Sequence, residues 1–177
     1  MSASAHPEKP MKTPNRWRRF ACMMYEGVLL FGVVFLAGYL FDTLTQSRDA
    51  MHLRAIRQAV LFVAIGFYFL VCWCRKGQTL PMKTWNIKLV DAQGGKPGVI
   101  RLIARYALLW IFPLIGALTV WQISLLTGYG STDLFIVFTP FLGFIWTVFD
   151  KDQQFLHDRL AGTRLIDAPM PARRKSV

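Results

Sequence analysis

Four runs of apolar residues organise the chain: Phe20 to Phe41, Ile56 to Cys74, Leu102 to Leu126 and Leu134 to Phe149. At about 1.5 Å per residue the first three are long enough as helices to cross a hydrocarbon layer roughly 30 Å thick. The fourth reaches only about 24 Å as a straight helix. It must borrow flanking residues, thin the bilayer or shelter against its neighbours. Pro113 and Pro140 lie inside the third and fourth runs and predict kinks, because each removes a backbone donor and frees a carbonyl. The first run reads as a retained helix and not a cleaved signal. It is longer than an ordinary signal core, no A-x-A site follows it, and Glu26 interrupts its first third.

Between the second and third runs the pattern changes from continuous to alternating. From Thr84, the apolar Trp85, Ile87 and Leu89 alternate with Asn86 and Lys88, the period of a strand with one buried face. Asp91-Ala92-Gln93-Gly94-Gly95 then turns the chain. A second strand is predicted at Thr163 to Asp167. Neither is stable alone, so the two are expected to pair beneath the membrane with Trp85 and Ile87 against the helix ends. Residues 1–15 and 168–177 are Pro-containing polar tails, expected to be disordered.

Composition agrees with a membrane protein. The chain is 54% hydrophobic and only 18% charged, more apolar than a soluble domain of this length can bury. The net charge of +11 is explained by topology. Eighteen of the 21 Lys and Arg residues lie before Phe20, between Arg75 and Arg105, or after Phe149, and only Arg48, Arg54 and Arg57 fall on the other side. That alternation predicts a membrane protein with both termini in the cytoplasm. Nucleic-acid binding is not needed to explain the basic residues, and no binding motif accompanies them. Anionic lipid is the expected partner of the basic face.

Glu26 is the most informative residue, because a carboxylate about 9 Å below the start of a span demands a partner, a proton or water. Arg105, at the start of the third span, is its expected partner, with Arg101 the second choice. Arg19 shares its helix face nearly two turns away. After the fourth run comes a dense polar stretch from Asp150 to Thr163. It is predicted to form a short interfacial helix with Asp152, Phe155, Leu156 and Arg159 on one face and Gly162 at its end. His157 beside Asp158 lacks a nucleophile or a second histidine at ligand spacing, so neither an enzyme nor a metal site is expected, and no cofactor is implied. Cys22, Cys72 and Cys74 read as reduced apolar residues. Thr139, Gly143 and Thr147 form a small stripe suited to close helix packing. The outer halves of the spans offer only Thr119, Gln122, Ser124 and Thr127 as polar groups.

Three stretches resemble the RDD family of small bacterial membrane proteins. They are Arg18-Arg19-Phe20-Ala21 through Glu26; Gly77-Gln78-Thr79-Leu80 with Ile87 to Asp91 and the Gly94-Gly95-Lys96-Pro97 turn; and Asp150 through Gln154 with His157-Asp158-Arg159-Leu160-Ala161-Gly162-Thr163. The resemblance puts the family's Arg on Arg19, its first Asp on Glu26 and its last Asp on Asp158. Glu26 departs from the pattern by one methylene, and Pro81-Met82 stands where Gly-Lys is usual. Asp150, Asp152, Gln154, His157, Arg159, Gly162 and Thr163 are the supporting motif.

The expected architecture is an all-α transmembrane bundle of four helices, about 20–41, 56–74, 102–126 and 134–149, with a small cytoplasmic two-stranded β element, together forming one domain over residues 16–167. The resemblance implies a small transporter or cation/proton exchanger, with Glu26 binding a proton or monovalent cation and Arg19, Arg105 and Asp158 controlling its charge. The alternative is a non-catalytic adaptor or assembly factor that binds other membrane proteins, or a second copy of itself, through its basic cytoplasmic face.

Overall fold

The computed structural model describes residues 12–45, 53–128, 135 and 138–168. Most of both predicted tails, the link around Asp49 and the link 129–134 lie outside the described residues. Among the described residues, three apolar helical stretches are long enough to cross a membrane: α1 (Arg16–Thr45), α2 (Arg54–Lys76), and Val99–Thr127. The third is two helices, α4 (Val99–Leu109) and α5 (Ile111–Thr127). Pro113 explains the break. It has no N–H to offer the Leu109 carbonyl four residues back, so Trp110 N–H turns to Ala107 O at 3.2 Å and helical bonding resumes from Leu114 N–H to Trp110 O.

Of the fourth run, Leu134, Ile136 and Val137 lie outside the described residues. A tight turn around Pro140 leads into α6 (Leu142–Phe149). The run's described helical part, Phe138–Phe149, measures about 18 Å. Gly116 of α5 allows it to dock. A Cβ on Gly116 would stand 2.7 Å from Thr139 and 2.8 Å from Leu142, and Thr147 is fully buried, so the small stripe is a packing surface.

At one end of the helices lies a compact polar and apolar unit. It comprises α3 (Leu80–Thr84), β1 (Ile87–Asp91), α7 (Leu156–Leu160) and β2 (Thr163–Asp167). The strands pair antiparallel, with Leu89 opposite Leu165 and Lys88 opposite Ile166. The predicted pairing therefore forms, but two residues later than the alternation implied. Thr84 ends α3, and Trp85-Asn86 is a turn in which Asn86 takes φ +50°. Ile87, Leu89 and Leu165 point inward onto Trp73, Phe69, Tyr106, Leu102, Met82, Phe155 and Cys22. Each such large apolar side chain contributes about 1.5–3 kcal/mol on burial.

A two-stranded sheet has two edges to close, and here glutamine side chains help close both. Gln78 Nε2 donates to Ile87 O at 2.7 Å on the β1 side, where Leu89 N–H also reaches Gly77 O at 2.8 Å. Gln154 brackets Leu165 on the β2 side: its Oε1 accepts from Leu165 N–H at 3.1 Å and its Nε2 donates to Leu165 O at 3.3 Å. Asp167 N–H donates to Lys12 O at 2.9 Å. Filled edges recruit no further strand.

The polar stretch after α6 is not one helix. Only Leu156–Leu160 is helical, and Asp150 to Phe155 is turn and extended chain. Asp150 Oδ2 accepts from Gln154 N–H at 2.9 Å, a side-chain bond that competes with helix formation. Gly162 at φ +65° follows α7 as predicted. At the opposite end of the bundle, α1 extends past the first predicted run, and the next residue, Asp42, meets Arg57 of α2 at 3.1 Å, so that end carries a charged pair.

Candidate functional site

α1 enters the bundle through its arginines. Arg18 Nη1 donates to Asp167 Oδ1 at 2.6 Å, and its Nη2 reaches the carbonyls of Trp85 and Asn86. It ties α1 to the end of β2 and to the turn before β1. One residue on, Arg19 is 2% exposed. Its Nη1 donates to Gln153 O and its guanidinium lies 4.2 Å above the Phe155 ring. Phe155 in turn stacks on His157 at 5.1 Å. The extended Asp150 to Phe155 segment brings these groups under α1.

Arg105 and Asp158 form the centre of the ionic cluster. Arg105 Nε lies 2.8 Å from Asp158 Oδ1, and the two side chains are 5% and 0% exposed. The Nε–H does not point along the line to the oxygen, so the contact is an ion pair and not a directed hydrogen bond. Trp73 lies beneath the Arg105 guanidinium at 4.5 Å. Thr163 Oγ1 donates to Asp158 Oδ1 at 3.1 Å. Asp158 Oδ2 has no hydrogen-bond donor among the described residues, although His157 Nε2 stands 3.8 Å away. Asp158 and Arg105 are also the foremost charges acting on Arg19. One buried carboxylate thus serves two buried guanidiniums.

Two outer groups complete the motif. Asp150 pairs with Arg159. Burial alone would raise its carboxyl, but the Gln154 amide and Arg159 outweigh it and hold the group below the usual carboxylate range. Asp152 is exposed and stands 4.0 Å from Arg164. Burial pushes the His157 imidazole down to about 4, with Arg105 and Arg19 acting in the same direction and Asp158 opposing them. The ring is therefore neutral at pH 7.

That depression has a consequence for stability. The unfolded chain takes up a proton near the ordinary value of 6.5. Stability is complete above that value and is lost as pH falls toward about 4, by a total of about 3 kcal/mol. Thermal unfolding of detergent-purified protein should show the decline, and His157→Gln should flatten it between those pH values. An unchanged slope in the variant would place the titration elsewhere.

Glu26 does not pair with Arg105. Nearly two turns beyond Arg19, α1 carries it to α2 and the start of α3. There Tyr68 Oη donates to Oε1 and Thr79 Oγ1 donates to Oε2, each at 2.6 Å. Arg105 reaches Glu26 only as a weaker charge at a distance. Arg101 is exposed and makes no ion pair with Glu26 among the described contacts. Tyr68 and Thr79 were not predicted as partners. Thr79-Leu80-Pro81 does carry a helix-start signature, and Thr79 is the N-cap of α3, but nothing in the spacing of Tyr68 points it at Glu26. The described residues hold no group of three or more His, Cys, Asp or Glu able to bind a metal, and the three cysteines are free thiols.

The family model described as the RDD family matches residues 13–162. Comparison with curated proteins and with solved structures returns no match. The matched region covers most of the chain and includes Arg19, Glu26, Arg105 and Asp158, so the chain belongs to the RDD family and is a membrane protein.

Proposed function

We propose that this RDD-family protein is a non-enzymatic exchanger of protons for monovalent cations in the bacterial inner membrane, with both termini cytoplasmic and Glu26 as the exchanging group. The observation that carries the reading is the set of groups around Glu26. Its two oxygens are held by two neutral hydroxyls, while Arg105 is committed to Asp158. A carboxylate at membrane depth with no cation in contact among the described residues is suited to take up a proton or a cation. The oxygens of Glu26, Tyr68 and Thr79 suit a small hard cation. The ionic cluster at the cytoplasmic end holds α1, α4 and α7 together around this site. In this reading Phe138–Phe149 completes the fourth crossing with the residues that precede it.

A second reading is favoured by where the polar groups lie. Between Glu26 and the Asp42–Arg57 pair, α1 is apolar, and Thr119 and Thr127 bond their own helix carbonyls. A non-catalytic adaptor, binding other membrane proteins through its basic cytoplasmic face, needs no polar route.

Proteoliposomes containing a pH-sensitive dye separate the two readings. Addition of Na⁺, K⁺ or Li⁺ should drive proton movement in wild type, which Glu26→Gln abolishes and Glu26→Asp largely retains. No ion-dependent proton movement in wild type, with each ion tried in turn, would leave the adaptor.

A further inference from the structure

The segment Gly77 to Thr79 is where the membrane carboxylate meets the sheet. Three consecutive residues each bind a different part of the structure. Gly77 O accepts from Leu89 N–H at 2.8 Å, Gln78 Nε2 donates to Ile87 O at 2.7 Å, and Thr79 Oγ1 donates to Glu26 Oε2 at 2.6 Å. Gly77 is required at its position. It adopts φ +65°, and a Cβ there would lie 2.9 Å from Leu89 O, so β1 lies directly against this backbone. Thr79, 2% exposed, also accepts from Met82 N–H at 3.4 Å as the cap of α3.

The lengths of the two Thr79 bonds show how its hydroxyl is shared. Its one hydrogen goes to Glu26 over a short distance, and a lone pair of the same oxygen accepts from Met82 N–H over a long one, so what the two partners share is the position of the oxygen. A hydrogen bond to an ionised carboxylate is roughly twice as strong as one between neutral groups. When Glu26 is neutralised, by a proton or by a cation that occupies its lone pairs, the pull on Thr79 weakens. The hydroxyl is then free to move toward Met82, and Gly77 and Gln78 move with it.

We propose that Thr79 is a relay, by which occupancy of Glu26 alters the stability of α3 and β1 on the cytoplasmic side. The exchanger reading supplies the occupant. The relay needs only that Glu26 change charge, and it would act equally in a protein that senses pH or cations without transporting them.

Amide hydrogen exchange on the full-length protein in lipid nanodiscs tests it. Peptides covering Met82 to Leu89 are followed at about pH 7 and about pH 9, where His157 is neutral throughout, corrected for intrinsic exchange, and at constant pH with and without NaCl, using choline chloride as the ionic-strength control. Wild type should change protection there by about fivefold between at least one of these pairs of conditions, the size expected when a charge-assisted bond becomes a neutral one. Glu26→Gln and Thr79→Val should abolish the change, and Thr79→Ser should keep it. Tyr68→Phe, which removes the other hydroxyl from Glu26, should also keep it. If Thr79→Val does not accumulate, Thr79→Cys serves, since a thiol is only a weak donor. A response that persists in the variant lacking the hydroxyl, or no response in wild type, overturns the relay. The liposome assay is independent: a relay response without proton movement would reject exchange alone, and proton movement without a response would reject the relay alone.

Discussion

Arg105→Gln and Asp158→Asn are each expected to destabilise the protein by about 3–5 kcal/mol, the usual cost of leaving one member of a buried ion pair uncompensated. Both side chains are almost fully shielded, so water cannot replace the lost partner. The two losses should not be equal. Asp158 is also the countercharge for Arg19, and its removal leaves two buried guanidiniums near one another. Asp158→Asn should therefore be the worse single change. The double variant should be less damaged than the sum of the singles, with a coupling of about 1–3 kcal/mol. Thermal unfolding in detergent and accumulation in membranes measure the cycle, and strict additivity would show that the pair does not contribute as a unit. The corresponding cycle between Glu26→Gln and Arg105→Gln should be close to additive, because Tyr68 and Thr79 are the groups that hold Glu26.

Trp73→Ala should cost a similar amount, about 3–5 kcal/mol. Trp73 is 2% exposed, stacks on Phe69 at 4.8 Å and supports the Arg105 guanidinium at 4.5 Å. Its loss opens a cavity in the core beneath the sheet and removes the aromatic face from a desolvated cation. Trp73→Phe keeps a ring face and should recover much of the loss. An alanine variant that unfolds at the wild-type temperature would mean that neither packing nor the cation–π contact matters there. The same substitution should disturb the ionic cluster as well as the core, so Trp73→Ala and Arg105→Gln should be non-additive.

What could be read from the chain is what local pattern determines. Three long apolar helices follow from runs of residues that no soluble domain of this size could bury. The Asp91 to Gly95 turn and the strand at Thr163 to Asp167 follow from local turn chemistry and alternation. The break near Pro113 follows from a missing N–H. The small stripe at Thr139, Gly143 and Thr147 was legible as a packing face for the same reason, since its spacing is that of one helix side.

Partner choice was decided by the fold. Glu26 meets Thr79 across 53 residues and Tyr68 across 42, and no periodicity encodes which of several polar groups will arrive beside a buried carboxylate. Arg105 was a reasonable partner by depth alone, but α7 brings Asp158 to it first, and one guanidinium does not lie against two separate carboxylates here. The short helix predicted within Asp150 to Thr163 is confined to Leu156–Leu160 because Asp150 binds the Gln154 amide, a choice stabilised by Arg159 from a later turn. The edge-closing roles of Gln78 and Gln154 were hidden for a related reason: a glutamine looks the same in sequence whether it faces water or completes a sheet. Apolar pattern selects the elements because burial is summed over many residues, whereas the site depends on a few directional bonds whose partners only tertiary packing brings within reach.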